Sequence, residues 1–173
     1  NGDLYTLTGN ITSDADGIVI ERNNLTLDGA GYMIKGSLRW DEHGIRLDER
    51  NNVTIKNVVI KNFSVGVYVS ESSDINVSWN NLTVNLDAGI GLSYSSNNSI
   101  SGNNITNSIA ENSFGIWLVG SSYNSVSGNN ITNNDFGIEL FRGSNSNSIF
   151  GNNIADNLVG IWLYNSSYNA VSG

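Results

Sequence analysis

A glycine followed by a β-branched residue returns seven times, at Gly17-Ile18, Gly44-Ile45, Gly66-Val67, Gly89-Ile90, Gly115-Ile116, Gly137-Ile138 and Gly160-Ile161, with spacings of 27, 22, 23, 26, 22 and 23. A second apolar position follows each glycine by about ten residues: Leu27, Ile55, Val77, Ile100, Val126, Ile149 and Val171. A third lies about five residues further on, at Ile60, Leu82, Ile105, Ile131 and Ile154. Each repeat therefore reads as three short strands separated by Asn, Ser and Gly turns. A unit this small cannot bury an apolar face alone, so successive units must coil and stack as parallel strands. The expected fold is all-β: a right-handed, single-stranded, three-sided parallel β-helix of about seven turns, one domain over residues 1–173. At roughly 4.8 Å per turn the rod is on the order of 30 to 40 Å long. A leucine-rich solenoid would need an L-x-x-L-x-L frame and a convex layer that these polar runs do not supply.

Composition fits a repetitive coil. Asn (30), Ser (24) and Gly (19) make up 73 of 173 residues, with no Pro and no Cys. The absence of Cys removes disulfides, thiolate metal sites and cysteine nucleophiles. The net charge of −8 argues against nucleic acid or a membrane surface as partner, and no apolar run is long enough for membrane insertion by a helix.

Strand parity assigns faces. Asn98, Asn103, Asn124, Asn129, Asn152 and Asn169 share the inward parity of Ile100, Ile105, Val126, Ile131, Ile154 and Val171. Amides stacked at the inter-strand spacing can donate to one neighbour and accept from the next, so these six read as ladders that satisfy turn backbone.

The string from Asn97 to Asn107, NNSISGNNITN, is echoed from Asn124 to Asn134. With the opening YTLTGNIT of Tyr5 to Thr12 and LTLDGAG of Leu25 to Gly31, it resembles the parallel β-helix repeats of the NosD-like family. Such repeats abound in secreted and surface proteins of methanogenic archaea. The resemblance implies the fold along nearly the whole chain, and a secreted or cell-surface location. The family name also implies copper, which needs soft or imidazole ligands. One His, His43, and one Met, Met33, are too few, so no metal and no cofactor are expected. His43 itself, in a polar insertion, reads as a solvated loop residue.

Outward positions of the first strand carry two candidate chemistries. Trp117, Trp162, Phe141 and Tyr164 form an aromatic stripe suited to stacking on sugars or to burial against another chain. The opposite half concentrates charge: Glu21, Arg22, Lys35, Arg39, Asp41, Glu42, His43, Arg46, Asp48, Glu49 and Arg50. Carboxylates there could act as acid and base, or assist proton abstraction α to a uronate carboxyl, yet the same pattern serves simple charge pairing. Ser13 to Gly17 (SDADG) lacks the further ligands of a calcium loop and reads as a polar turn.

Ten N-x-S/T sequons begin at Asn10, Asn24, Asn52, Asn62, Asn76, Asn81, Asn97, Asn104, Asn130 and Asn165. Asn104 and Asn130 have outward parity, which leaves them room for glycans. The strand-like first turn and the uncapped last one suggest a fragment of a longer solenoid or a unit that stacks head-to-tail on copies of itself.

These features together lead to a non-catalytic expectation: an extracellular, glycosylated structural protein of an archaeal surface (sheath, surface layer or fibre), partnered by itself. The alternatives are a lyase or epimerase on an acidic polysaccharide, and a non-catalytic carbohydrate-binding or adhesion module.

Overall fold

The computed structural model describes residues 2–106 and 108–173. Every regular element in them is a strand, and every strand pairing is parallel, between one turn and the next. Face one stacks eight strands: β1 (Asp3–Thr6), β4 (Leu25–Asp28), β7 (Asn51–Lys56), β10 (Ser73–Ser78), β13 (Ser99–Ser101), β16 (Ser125–Ser127), β19 (Ser148–Phe150) and β22 (Ala170–Ser172). Face two stacks β2 (Ile11–Thr12), β5 (Met33–Lys35), β8 (Val59–Lys61), β11 (Asn81–Thr83), β14 (Asn104–Thr106), β17 (Asn130–Thr132) and β20 (Asn153–Ala155). Face three stacks β3 (Ile18–Ile20), β6 (His43–Asp48), β9 (Val65–Ser70), β12 (Ala88–Ser93), β15 (Phe114–Val119), β18 (Phe136–Phe141) and β21 (Val159–Tyr164). This is a three-sided parallel β-helix of about seven turns. No helix of the described residues is long and apolar enough to cross a membrane.

The core follows the repeat. Ile18, Ile45, Val67, Ile90, Ile116, Ile138 and Ile161 occupy one register column of face three. The apolar columns of faces one and two align in the same way, as in Ile55, Val77, Ile100 and Val126, and in Ile60, Leu82, Ile105 and Ile131. Ile45, Ile55, Ile60, Ile90, Ile105 and Ile116 are wholly inaccessible.

The repeated glycine does more than open a strand. A Cβ at Gly44 would lie 2.3 Å from Ile60 Cγ2 and 2.6 Å from the carbonyl oxygen of Gly66; at Gly115 the same contacts, to Ile131 Cγ2 and Gly137 O, are 2.3 and 2.6 Å. Glycine and the following Ile both face inward, and the pairing passes over the glycine, from His43–Val65 to Ile45–Val67. Consequently the residue before each glycine points outward, and face three has an outward column that simple alternation from the glycine does not give.

Corners are closed by side-chain ladders. The amide oxygens of Asn103 and Asn129 accept the backbone N–H of the residue one turn below, Asn80 at 3.0 Å and Asn103 at 2.9 Å, while their Nδ2 groups donate to carbonyls of Val77 and Ile100. Asn98, Asn124, Asn147 and Asn169 form a second such column, and Asn152 continues the first. A third corner uses Asn134 and Asn157, and a serine column, Ser72, Ser95, Ser121 and Ser144, does the same work before face one. Among the described residues, Asn85 Nδ2 is the fully buried side-chain polar atom left without a hydrogen bond. Its column changes there from Asn to Ser108, whose hydroxyl donates to Phe114 O instead.

The outward Asn81, Asn104, Asn130 and Asn153 also ladder, the Nδ2 groups of Asn104, Asn130 and Asn153 donating to the Oδ1 of the residue below at 3.0, 2.7 and 2.6 Å. Asn104 and Asn130 thus face outward, but their amide nitrogens are tied to neighbours rather than free. Among the other sequons, Asn52 Nδ2 donates to Asn24 Oδ1, and Asn24, Asn52, Asn62, Asn97 and Asn165 have left-handed backbones.

Candidate active face

Face three and the corner before it carry the ionisable groups whose pKa burial has shifted most directly, His43, Asp87 and Glu139. Its outward side chains fall in three columns along the rod: His43, Val65, Ala88, Phe114, Phe136 and Val159; Arg46, Tyr68, Gly91, Trp117, Glu139 and Trp162; and Asp48, Ser70, Ser93, Val119, Phe141 and Tyr164. The corner before β6 is a seven-residue segment, 36–42, whereas those before β9 and β12 span only 62–64 and 84–87. The long corner reaches Trp40, which is exposed, and leads directly into His43.

His43 opens β6, so it is a strand residue and not the solvated loop residue expected from its polar surroundings. Its side chain is 14% exposed. Asp16, in the corner one turn below, accepts the His43 backbone N–H at 2.7 Å, and the same oxygen lies 3.2 Å from ring Nδ1. The polar turn of Ser13 to Gly17 is thereby recruited as a histidine partner. A carboxylate only accepts, so Nδ1 carries the proton of the neutral ring and Nε2 keeps the lone pair. Burial pushes the His43 pKa below the ordinary imidazole value, against the pull of Asp16. The Tyr68 ring stacks on the imidazole, centroids 4.6 Å apart. On the same strand Arg46 donates from Nε to Asp48 Oδ2 at 2.6 Å and reaches Asp16 Oδ2 at 3.7 Å, leaving its side chain 42% exposed. Asp48 is therefore held by Arg46, while Glu21 meets Arg50 through its backbone carbonyl.

Further along the face, Trp117 folds over Gly91. A Cβ there would sit 2.4 Å from the indole Cζ2, and the ring approaches Tyr68 at 6.0 Å between centroids. Trp117 is thus half-buried and turned toward the histidine, away from the other three aromatics of the expected stripe. Those three do group: Phe141 stacks on Tyr164 at 5.4 Å, and Trp162 lies 6.3 Å from Tyr164 while stacking on Phe136 at 5.2 Å. Asp87 stands beside Trp117, and burial raises its pKa, partly offset by the Trp117 indole N–H and the His43 imidazole. Glu139 is raised by burial and then by repulsion from Asp87. Asp87 and Glu139 escaped the sequence reading, and so did the outward role of the residue before each glycine. An acidic residue two positions before a repeat glycine, as Asp87 stands to Gly89, was the available signal.

Compared with known families, residues 2–159 match the profile of the family described as Periplasmic copper-binding protein (NosD). The chain belongs to the NosD family. Among solved structures, this NosD-family chain superimposes on the periplasmic alginate epimerase AlgG (D317A mutant) with a TM-score of 0.72 and 23% identity, over 82% of this chain and 33% of the other. Pectate lyase Pel9A gives 0.62 and 15%, over 89% and 45%. The enzymatically active domain of bacteriophage CBA120 tailspike protein 2 gives 0.62 and 13%, over 99% and 37%. The chain thus spans between a third and a half of each of these structures, and at such identities the likeness is one of fold. No curated protein matches the sequence.

The expectation of a non-catalytic chain is corrected by these findings. The three solved structures named above are an alginate epimerase, a pectate lyase and the enzymatically active domain of a phage tailspike, and the histidine that had been discounted is half-buried beside a carboxylate, a guanidinium and a phenol. The copper implied by the family description does not fit the donors present. Met33 lies on face two and His43 on face three, the imidazole Nδ1 is engaged by Asp16, and no three His, Cys, Asp or Glu of the described residues gather as a metal ion requires.

Proposed function

We propose that this NosD-family chain is an exported protein whose third face processes an acidic polysaccharide by proton abstraction α to a uronate carboxyl, the step shared by uronate lyases and C5 epimerases. The observation that carries this reading is the His43 constellation: a neutral imidazole oriented by Asp16, with Arg46 and Tyr68 beside it. In this scheme Arg46 receives the uronate carboxylate and stabilises the enediolate that develops on it. His43 Nε2 takes the C5 proton, a role that requires the neutral ring. The Tyr68 phenol, stacked on the imidazole, serves as the proton donor in this scheme. Reprotonation at C5 from the opposite side completes an epimerisation; expulsion of the O4 glycosidic oxygen, protonated as it leaves, completes an elimination. The fold of the neighbours and the word periplasmic in both the family description and the epimerase's name support the substrate class and export.

The test is to incubate the protein with alginate and with polygalacturonate in D₂O. Deuterium incorporation at C5, or ultraviolet absorbance from a new C4=C5 double bond, is expected, and His43→Ala should abolish either signal. Neither signal from the wild type on any polyuronate, or an undiminished signal in His43→Ala, would remove the proposal.

A further inference from the structure

Glu139 is the one ionisable side chain of the described residues that is buried, at 8% exposure, and it makes no hydrogen bond or ion pair. It faces outward all the same: it pairs in register with Trp117 below and Trp162 above. Its carboxyl oxygens still reach the surface, since Asn85 Nδ2 is the fully enclosed unpartnered atom. The groups around it are Phe136 and Phe141 on its own strand, Trp117 on β15, Trp162 and Tyr164 on β21, and Asp87 from the corner before β12. Arg142 lies over the Phe141 ring, 4.9 Å from its centroid, and forms no ion pair with Glu139. A carboxyl so placed, without a partner, costs stability unless something supplies one.

We propose that Glu139, Trp162 and Tyr164 form a sugar-binding subsite, four to five turns along the rod from His43, in which the Glu139 carboxyl hydrogen-bonds one residue of an acidic polysaccharide and the Trp162 ring stacks on that sugar's apolar face. Trp162 and Tyr164 are 41% and 56% exposed, and their tilted rings present apolar surface next to the unpartnered acid. The subsite rests on the substrate class proposed above and extends it. At roughly 4.8 Å per turn it lies about 19 to 24 Å from the His43 strand on the same face, so one extended chain reaches both. Burial and the repulsion of Asp87 favour the protonated Glu139, which donates to a sugar carboxylate that an ionised Glu139 would repel. Acidic oligosaccharides therefore bind more tightly as pH falls through the Glu139 pKa.

Calorimetric titration of the protein with alginate and galacturonate oligosaccharides, at a series of pH values from acid to neutral, tests this. Expected are affinity that weakens with rising pH, a Glu139→Gln variant that binds with no such slope, and a loss of about tenfold in Trp162→Ala, the scale of one stacking contact. Trp162→Phe, which retains an aromatic ring against Phe136, should lose less. Binding that is independent of pH in the wild type, or unchanged by both Glu139→Gln and Trp162→Ala, overturns the subsite. The readout is separate from turnover. PH-dependent binding flattened by Glu139→Gln, without any C5 chemistry, keeps the subsite and removes the catalytic reading; turnover with binding indifferent to both substitutions does the reverse.

Discussion

One oxygen of Asp16 receives two hydrogen bonds from His43, the backbone N–H at 2.7 Å and the ring Nδ1 at 3.2 Å. The carboxylate therefore ties strand position to ring orientation. Asp16→Ala orphans a half-buried amide and frees the ring, and should cost about 1 to 3 kcal/mol in denaturant unfolding together with most of the C5 exchange. Asp16→Asn retains an acceptor for the amide but not a negative charge for the imidazole. Its stability should stay near wild type while exchange still drops. Equal exchange rates in Asp16→Asn and wild type would show that the pair only holds the corner.

The His43 pKa is depressed chiefly by burial, which sets the sign of two pH effects. Exchange should be level at neutral pH and fall as pH drops through the folded-state pKa, when the base is lost. Over the range between the unfolded and the folded pKa the unfolded chain takes the proton first, so stability also declines as the solution is acidified. In His43→Asn that contribution should be missing from the melting temperature plotted against pH.

Glu139 has the opposite linkage, because burial and Asp87 raise its pKa. The unfolded chain releases this proton first, so the penalty grows as pH rises from the ordinary Glu range through the folded pKa and is fully present above it. Glu139→Gln should raise the melting temperature at neutral pH, and the gain should vanish in acid. A lower melting temperature for the variant at neutral pH would mean that the ionised carboxylate has a stabilising partner.

The repeat glycines are constrained by contact. Gly115→Ala would place a methyl 2.3 Å from Ile131 Cγ2 and 2.6 Å from Gly137 O, and should destabilise by at least 1 to 3 kcal/mol, roughly the cost of overpacking. Gly128 has φ of +62° and nothing within 4 Å of a Cβ, so Gly128→Ala should cost only the left-handed backbone, about 1 kcal/mol. Equilibrium unfolding of the two variants side by side checks the order.

Asn129 accepts the Asn103 N–H at 2.9 Å and donates to Ile100 O at 3.0 Å and Asn152 Oδ1 at 2.9 Å. Asn129→Leu removes these bonds and leaves the Asn103 N–H buried without its acceptor, and should destabilise by about 1 to 3 kcal/mol. Asn133 is exposed with φ of +57°, and Asn133→Gly should be nearly silent. Similar losses at both positions in urea melts would contradict the ladder.

The sequence alone determined the coil, because each repeat carries its own glycine, apolar triplet and turn residues, and stacking places like upon like. Ile45, Val67 and Ile90 could be aligned by counting, and inward asparagines such as Asn103 and Asn129 by parity. Tertiary structure decided what counting does not reach. Two consecutive inward positions at the repeat glycines go with a close approach to an aliphatic side chain of face two, Ile60 at Gly44, Leu82 at Gly66 and Ile131 at Gly115, which alternation does not describe, and they turn His43 and Phe136 outward. The pairing of Asp16 with His43 joins residues 27 positions apart through a corner of irregular length. Burial raises the pKa of Asp87 against the pull of Trp117 and His43, and burial together with Asp87 two turns away raises that of Glu139, a matter of which side chains lean where; residue spacing fixes the column of an acid, and packing fixes its environment.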